Sequence, residues 1–138
     1  MVWAIRGEFE NRGWDDVAAW FAELAGLKHN QLPGLPSHQH MRDIVASVLA
    51  SDAADSLGVT TSMFDLVAVS LVAKPWYYET IHVASPSSLV PVREGCCVLL
   101  FHGAKRRRQD SYDRQEVPVA EAVPAFWRMV EEKFGITR

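Results

Sequence analysis

Glu94-Gly95-Cys96-Cys97-Val98-Leu99-Leu100-Phe101-His102-Gly103-Ala104, followed at once by Lys105-Arg106-Arg107-Arg108, is the stretch on which the fold turns. From Cys96 to Phe101 aliphatic, β-branched and aromatic residues run without interruption. The run is too short for a free-standing helix and is bounded by glycines, which is how a core strand reads. A strand buried on both sides needs neighbours. Tyr112 to Pro118 can return antiparallel to it after the basic turn, and Tyr77 to Ala84 alternates Tyr77, Glu79, Ile81 and Val83 against Tyr78, Thr80, His82 and Ala84.

Outward from this centre the signals change period. Ser85-Pro86-Ser87-Ser88 and Arg93-Glu94-Gly95 are turns flanking a short extended piece, Leu89 to Val92. Leu66 to Ala73 is valine-rich and reads as a buried strand, although Ser62 with Asp65 three residues on also offers a helix start. Toward the N-terminus, Trp14, Val17, Phe21 and Leu24 recur at helical spacing up to Gly26. Met41, Ile44, Val45, Val48 and Leu49 do so again, in a chain expected to stay helical or nearly so to a stop at Gly58, with Ser51 as the place of any break. At the other end, Val123, Phe126, Trp127, Val130 and Phe134 line one face of a helix with Pro124 in its first turn and Gly135 as its stop. Val2 to Phe9 is a possible short strand. The sum is an α+β fold: N-terminal helices, an antiparallel β-meander of three to five strands, and a C-terminal amphipathic helix packed on the sheet.

Size and composition bound the function classes. The 138 residues fit a single globular domain spanning 1–138, which buries roughly two-thirds of its unfolded surface without disulfide or metal support. A net charge of −3 excludes a molecule built as a whole to hold nucleic acid or an anionic membrane. No export signal is visible, and the longest apolar run falls far short of the ~20 residues of a membrane helix, so a cytoplasmic protein is expected. Ten arginines against four lysines suggest a GC-rich bacterial source. Cys96 and Cys97 are adjacent and point to opposite faces of a strand, so both are expected reduced and mostly buried.

Candidate sites are few. Trp76-Tyr77-Tyr78 cannot all point inward from a strand entrance, and partly exposed Trp and Tyr are the residues of binding hot spots. With Glu79, and with Asp65 as a possible acidic neighbour, they form the expected protein-binding surface. Lys105, Arg106, Arg107 and Arg108 could contact phosphates, but Asp110, Asp113 and Glu116 follow closely and cancel part of that field. His29, His38 and His40 lie in or beside a proline-containing loop. With Asp43 they fall short of a metal-ligand pattern and read as surface histidines. A thiol and base could be sought in Cys97 with His82, since His102 and Cys96 stand about 20 Å apart along one strand. The Ser85 to Ser88 serines have no recognisable base and read as turn formers.

The function expected is therefore that of a small binding protein acting through a protein surface, of the accessory or immunity-type inhibitor class, with no cofactor, no metal and no catalytic residues. The alternatives are nucleic-acid binding through Lys105 to Arg108, and a small enzyme with a pocket near His82 and Cys97.

Overall fold

Among the described residues Cys96 to His102 forms the fourth of five strands, and it is buried from Cys97 to Phe101 because both faces of the sheet are covered there. The computed structural model describes residues 13–26, 37–72, 79–103 and 112–138. In chain order these form α1 (Trp14–Gly26), α2 (Gln39–Leu49), a short 3-10 turn at Ala54–Ser56, β1 (Leu57–Ser62), β2 (Asp65–Ser70), β3 (Thr80–Ala84), β4 (Cys96–His102), β5 (Tyr112–Pro118), a second 3-10 turn at Val119–Glu121 and α3 (Ala122–Phe134). The strands pair antiparallel in sequence order, so the sheet is a meander, and with α3 packed on it the fold is α+β.

Strand parity sorts the side chains into two layers. Leu57, Val59, Leu66, Ala68, Ile81, Val83, Cys97, Leu99 and Phe101 face the helices and meet Val17 and Phe21 of α1, Met41, Ile44, Val45 and Val48 of α2, and Phe126, Met129 and Val130 of α3. On the other face Val67 and Val69 are buried with Leu71 against them, and Ala84, Val98 and Leu100 with Val90 and Val92. This is why β2 and β4 read as continuous apolar runs, whereas β3 alternates in polarity.

Two indole hydrogen bonds tie the layers together. Trp14 Nε1 donates to the Leu57 carbonyl at 2.8 Å, fixing α1 to the edge strand β1, and Trp127 Nε1 donates to Ser47 Oγ at 2.8 Å, fixing α3 to α2. Buried indole N–H groups need such acceptors. At the end of α3, Gly135 adopts φ +68 and its N–H closes on the Glu131 carbonyl at 2.9 Å. A Cβ added there would meet nothing within 4 Å, so Gly135→Ala is expected to cost only the left-handed backbone penalty, about 1 kcal/mol, as read from chemical denaturation.

The structure departs from the sequence reading most clearly between α2 and β2. Gly58 does not stop a helix: after α2 the chain turns and enters β1, where Gly58 sits opposite Val69. Ser62 and Asp65 do not start a helix either. They are opposed residues closing a two-residue hairpin whose loop is Met63-Phe64. Only Met63 of that pair has positive φ, 57°, the pattern of a type II′ turn, in which glycine ordinarily holds the first loop position. Without glycine or asparagine the turn left no mark in the sequence. Leu89 to Val92 is irregular rather than extended. The possible strand at Val2 to Phe9 lies outside the described residues.

Candidate functional site

Asp65 is the first residue of β2, and the hairpin places its side chain on the sheet face away from the helices, beside His82 of β3. His82 Nε2–H donates to Asp65 Oδ2 at 2.7 Å, with both side chains more than nine-tenths buried. The loop after β3 folds back over the same carboxylate. The Ser85 N–H donates to Oδ1 at 2.8 Å and Ser88 Oγ–H donates to Oδ2 at 2.7 Å. Further bonds hold the loop in shape: Ser87 N–H to Ser85 Oγ at 3.2 Å, Ser88 N–H to the Ser85 carbonyl at 3.0 Å, and Val90 N–H to Ser88 Oγ at 3.0 Å. One carboxylate thus joins the β1–β2 turn, the middle strand and the β3–β4 loop.

Electrostatics decide the charge state of that carboxylate. Burial works to raise its pKa, but the hydrogen bonds from His82, the Ser85 amide and Ser88 outweigh it and hold the carboxyl below its ordinary range. Ionised Asp65 only accepts, which assigns the shared proton to His82 Nε2.

The helices brace the same end of the sheet. His38, just before α2, is hydrogen-bonded through Nε2 to Ser87 Oγ at 3.1 Å, and its ring lies 6.5 Å from that of Phe64. Phe64 also stacks on Trp20 of α1, with centroids 6.2 Å apart and planes 8° from parallel. His38 and His40 are therefore not surface histidines: they are 1% and 6% exposed. Among the described residues Nε2 of His40 has no hydrogen-bond partner. Burial, then neighbouring His38, lower the pKa of His40 to about 4 against a smaller upward pull from Asp43. His29 lies outside the described residues.

What this arrangement can do chemically follows from which atom faces which. Nucleophilic catalysis needs a hydroxyl or thiol on the imidazole, with the carboxylate behind it. Here the Ser88 hydroxyl and the His82 imidazole both bind the carboxylate, so the serine is not aimed at the base. Cys97 faces the helices while His82 faces the opposite side, so the sheet separates the thiol and base considered from the sequence. Burial, with smaller contributions from Cys96 and Asp65, pushes the Cys97 thiol up to about 12, which keeps it protonated at neutral pH. The half-buried His102 is lowered by burial and by His82, and stands at the far end of β4. Among the described residues no three His, Cys, Asp or Glu side chains come together as a metal site.

Of the residues expected at a protein-binding surface, Trp76, Tyr77 and Tyr78 lie outside the described residues. Glu79 is half-buried immediately before β3. Asp65 does not share a surface with Glu79: it is buried at the opposite end of β3. Lys105, Arg106, Arg107 and Arg108 also lie outside the described residues. The sequence reading missed the turn serines as partners of Asp65 and His38. A run of three serines beside one proline was the only available signal, and it does not say what they bind.

The same end of the sheet carries two large apolar side chains in solvent. Leu89, next to Ser88, is 84% exposed, and Met63, two residues before Asp65, is 66% exposed, the two highest values among the large apolar residues described. Both sit on loops anchored through Asp65. No family model matches this chain, and neither a curated protein nor a solved structure is found to match it. Among the described residues no helix is long and apolar enough to cross a membrane.

Proposed function

We propose that this chain is a protein-binding module of the accessory or inhibitor kind, which meets its partner through the loop end of the sheet bearing Met63 and Leu89. The observation that carries the reading is the pairing of high exposure with rigid support. Two large apolar side chains stand in water on loops that a buried carboxylate holds in place. Ordering a loop before binding removes an entropic cost from association, so apolar residues on a braced loop make effective anchors. The backbone at Met63 supports the same reading. A methionine at positive φ costs about 1 kcal/mol relative to glycine, and such strain is characteristic of positions kept for a side chain's function. Cys96 and Cys97 are both free thiols, which suits a reducing compartment, so the partner is sought in the cytoplasm of a bacterial source.

The test compares proteins retained from extract by the wild-type chain and by Leu89→Asp, followed by titration of the purified partner. Leu89 is exposed, so the variant should keep its unfolding midpoint while losing capture by at least tenfold. Identical retention by the two proteins refutes the proposal. Met63→Gly should separate stability from binding: it is expected to stabilise the fold by roughly 0.5–1 kcal/mol in denaturant unfolding while weakening capture.

A further inference from the structure

We infer that the outer edge of β5 pairs with β5 of a second copy of this chain, antiparallel and in one register, joining two five-stranded sheets into one of ten. This surface is separate from the loop end that carries Met63 and Leu89, and the inference stands or falls without it.

The geometry begins with the ladder between β4 and β5. Their partners run from Cys96 opposite Pro118 to His102 opposite Tyr112, and the Val119 N–H donates to the Gly95 carbonyl at 2.9 Å in the same register. In an antiparallel ladder hydrogen-bonded and open pairs alternate. Since 95 with 119 is a hydrogen-bonded pair, residues 113, 115 and 117 turn their backbone groups inward to β4, and 112, 114, 116 and 118 turn theirs outward. Pro118, which has no N–H to give, falls on the outward set, as an edge proline should. The N–H and C=O groups of Arg114 and Glu116 thus face away from the sheet, and neither residue's backbone has a partner outside the ladder among the described residues.

Charge then selects the occupant. An edge strand bearing charges and a proline ordinarily discourages pairing. Among the antiparallel registers that oppose these two charged residues, the deterrent spares one. Two copies of β5 can use their outward groups with Arg114 opposite Arg114, with Glu116 opposite Glu116, or with Arg114 opposite Glu116. The first two oppose like charges and are disfavoured. The third opposes unlike charges twice, once on each side of a two-fold axis passing between the two Gln115 residues. It makes two rungs, each exchanging both N–H···O=C bonds, and it closes, since a two-fold contact uses the same patch on both partners. Within one chain the Glu116 carboxylate already stands between Arg93, at 3.3 Å, and Arg114, at 3.9 Å. The second copy's Arg114 would complete an alternating ring of charge. Asp113, engaged by Lys133 at 3.5 Å on the other face, stays clear of the contact.

Sedimentation of the full chain over rising concentration tests this. The wild type should move from 15.5 kDa toward twice that mass at concentrations on the order of 100 µM, as suits a small, polar contact. Arg114→Glu, which sets Glu opposite Glu, should stay monomeric at the same concentrations. The swapped pair, Arg114→Glu with Glu116→Arg, should restore the doubled mass, because unlike charges again face each other. Glu116→Pro should also stay monomeric while remaining folded, since the N–H it removes faces outward. Protected amides at 113, 115 and 117 would confirm that the β4–β5 ladder survives in each variant. A wild type that stays monomeric throughout, an Arg114→Glu protein that still doubles, or a swapped pair that fails to recover overturns the inference. So does protection of the 114 and 116 amides that arises only on adding a different protein, which would assign the edge to a foreign strand.

Discussion

Asp65→Ala is expected to remove about 3–5 kcal/mol of stability, a large share of the roughly 5–15 kcal/mol that holds a domain of this kind together. The loss is large because the carboxylate has three dependants, two buried and one half-buried. Without it the His82 Nε2–H, the Ser85 amide and the Ser88 hydroxyl lose their acceptor together. Each unsatisfied buried donor costs about 1–3 kcal/mol, reduced where the loop loosens enough to admit water. Asp65→Asn should cost less, about 1–2 kcal/mol. Its carbonyl oxygen still accepts from Ser85, while the Ser88 hydroxyl and the His82 ring can reverse their donor and acceptor roles. Urea unfolding of the three proteins checks the order Asp, Asn, Ala. If Ala lies within about 1 kcal/mol of wild type, Asp65 is not what binds the loops to the sheet. The loop that carries Leu89 should also become exchange-labile in the Ala variant, linking this stabilising role to the surface it supports.

The second large effect is in pH. His40 is buried, its Nε2 has no partner among the described residues, and it holds its proton only near pH 4, whereas in the unfolded chain it protonates around 6.5. Above about pH 6.5 the group is neutral in both states and contributes no pH dependence. As pH falls from there toward about 4, the unfolded state binds a proton that the folded state refuses, so stability drops by up to about 1.4 kcal/mol per pH unit, on the order of 3 kcal/mol in all. Half-buried His102, also lowered, adds to the slope in the same direction. Asp65 acts later: its folded pKa is depressed, so its contribution is present above the ordinary carboxyl range and is lost only as pH falls below it. His40→Phe removes the titration while keeping an aromatic ring in the buried position. Its stability should therefore change much less between about pH 6.5 and about pH 4 than that of the wild type. Parallel profiles would show that His40 is not the group responsible.

The parts of this fold legible in the sequence are those written in local periodicity. α1 and α3 end where the apolar stripe meets Gly26 and Gly135, and β4 and β5 stand where an uninterrupted run and its antiparallel return placed them. β1 was hidden by a short uncharged segment, Leu57–Ser62, whose glycine resembled a helix stop, and by a hairpin that turns on methionine rather than glycine or asparagine. The site was less legible still. His38, Asp65, His82 and the Ser85 to Ser88 loop meet across 17, 20, 23 and 49 residues of chain, and no spacing rule connects such separations.

The sequence by itself determined the class of fold and its sorting into faces, because burial patterns at periods of two and 3.6 residues belong to neighbouring side chains and need no knowledge of what lies across the core. Strand parity alone placed Cys96 and Cys97 on opposite faces, one half-buried and one buried. Only the tertiary structure decided that His38 and His40 are interior and that Asp65 is a buried anchor. It alone showed Leu89 and Met63 standing out on loops fastened to that anchor. These depend on which polar groups meet when strands and helices dock, and a buried polar group's fate is settled by its partner rather than by its neighbours in sequence.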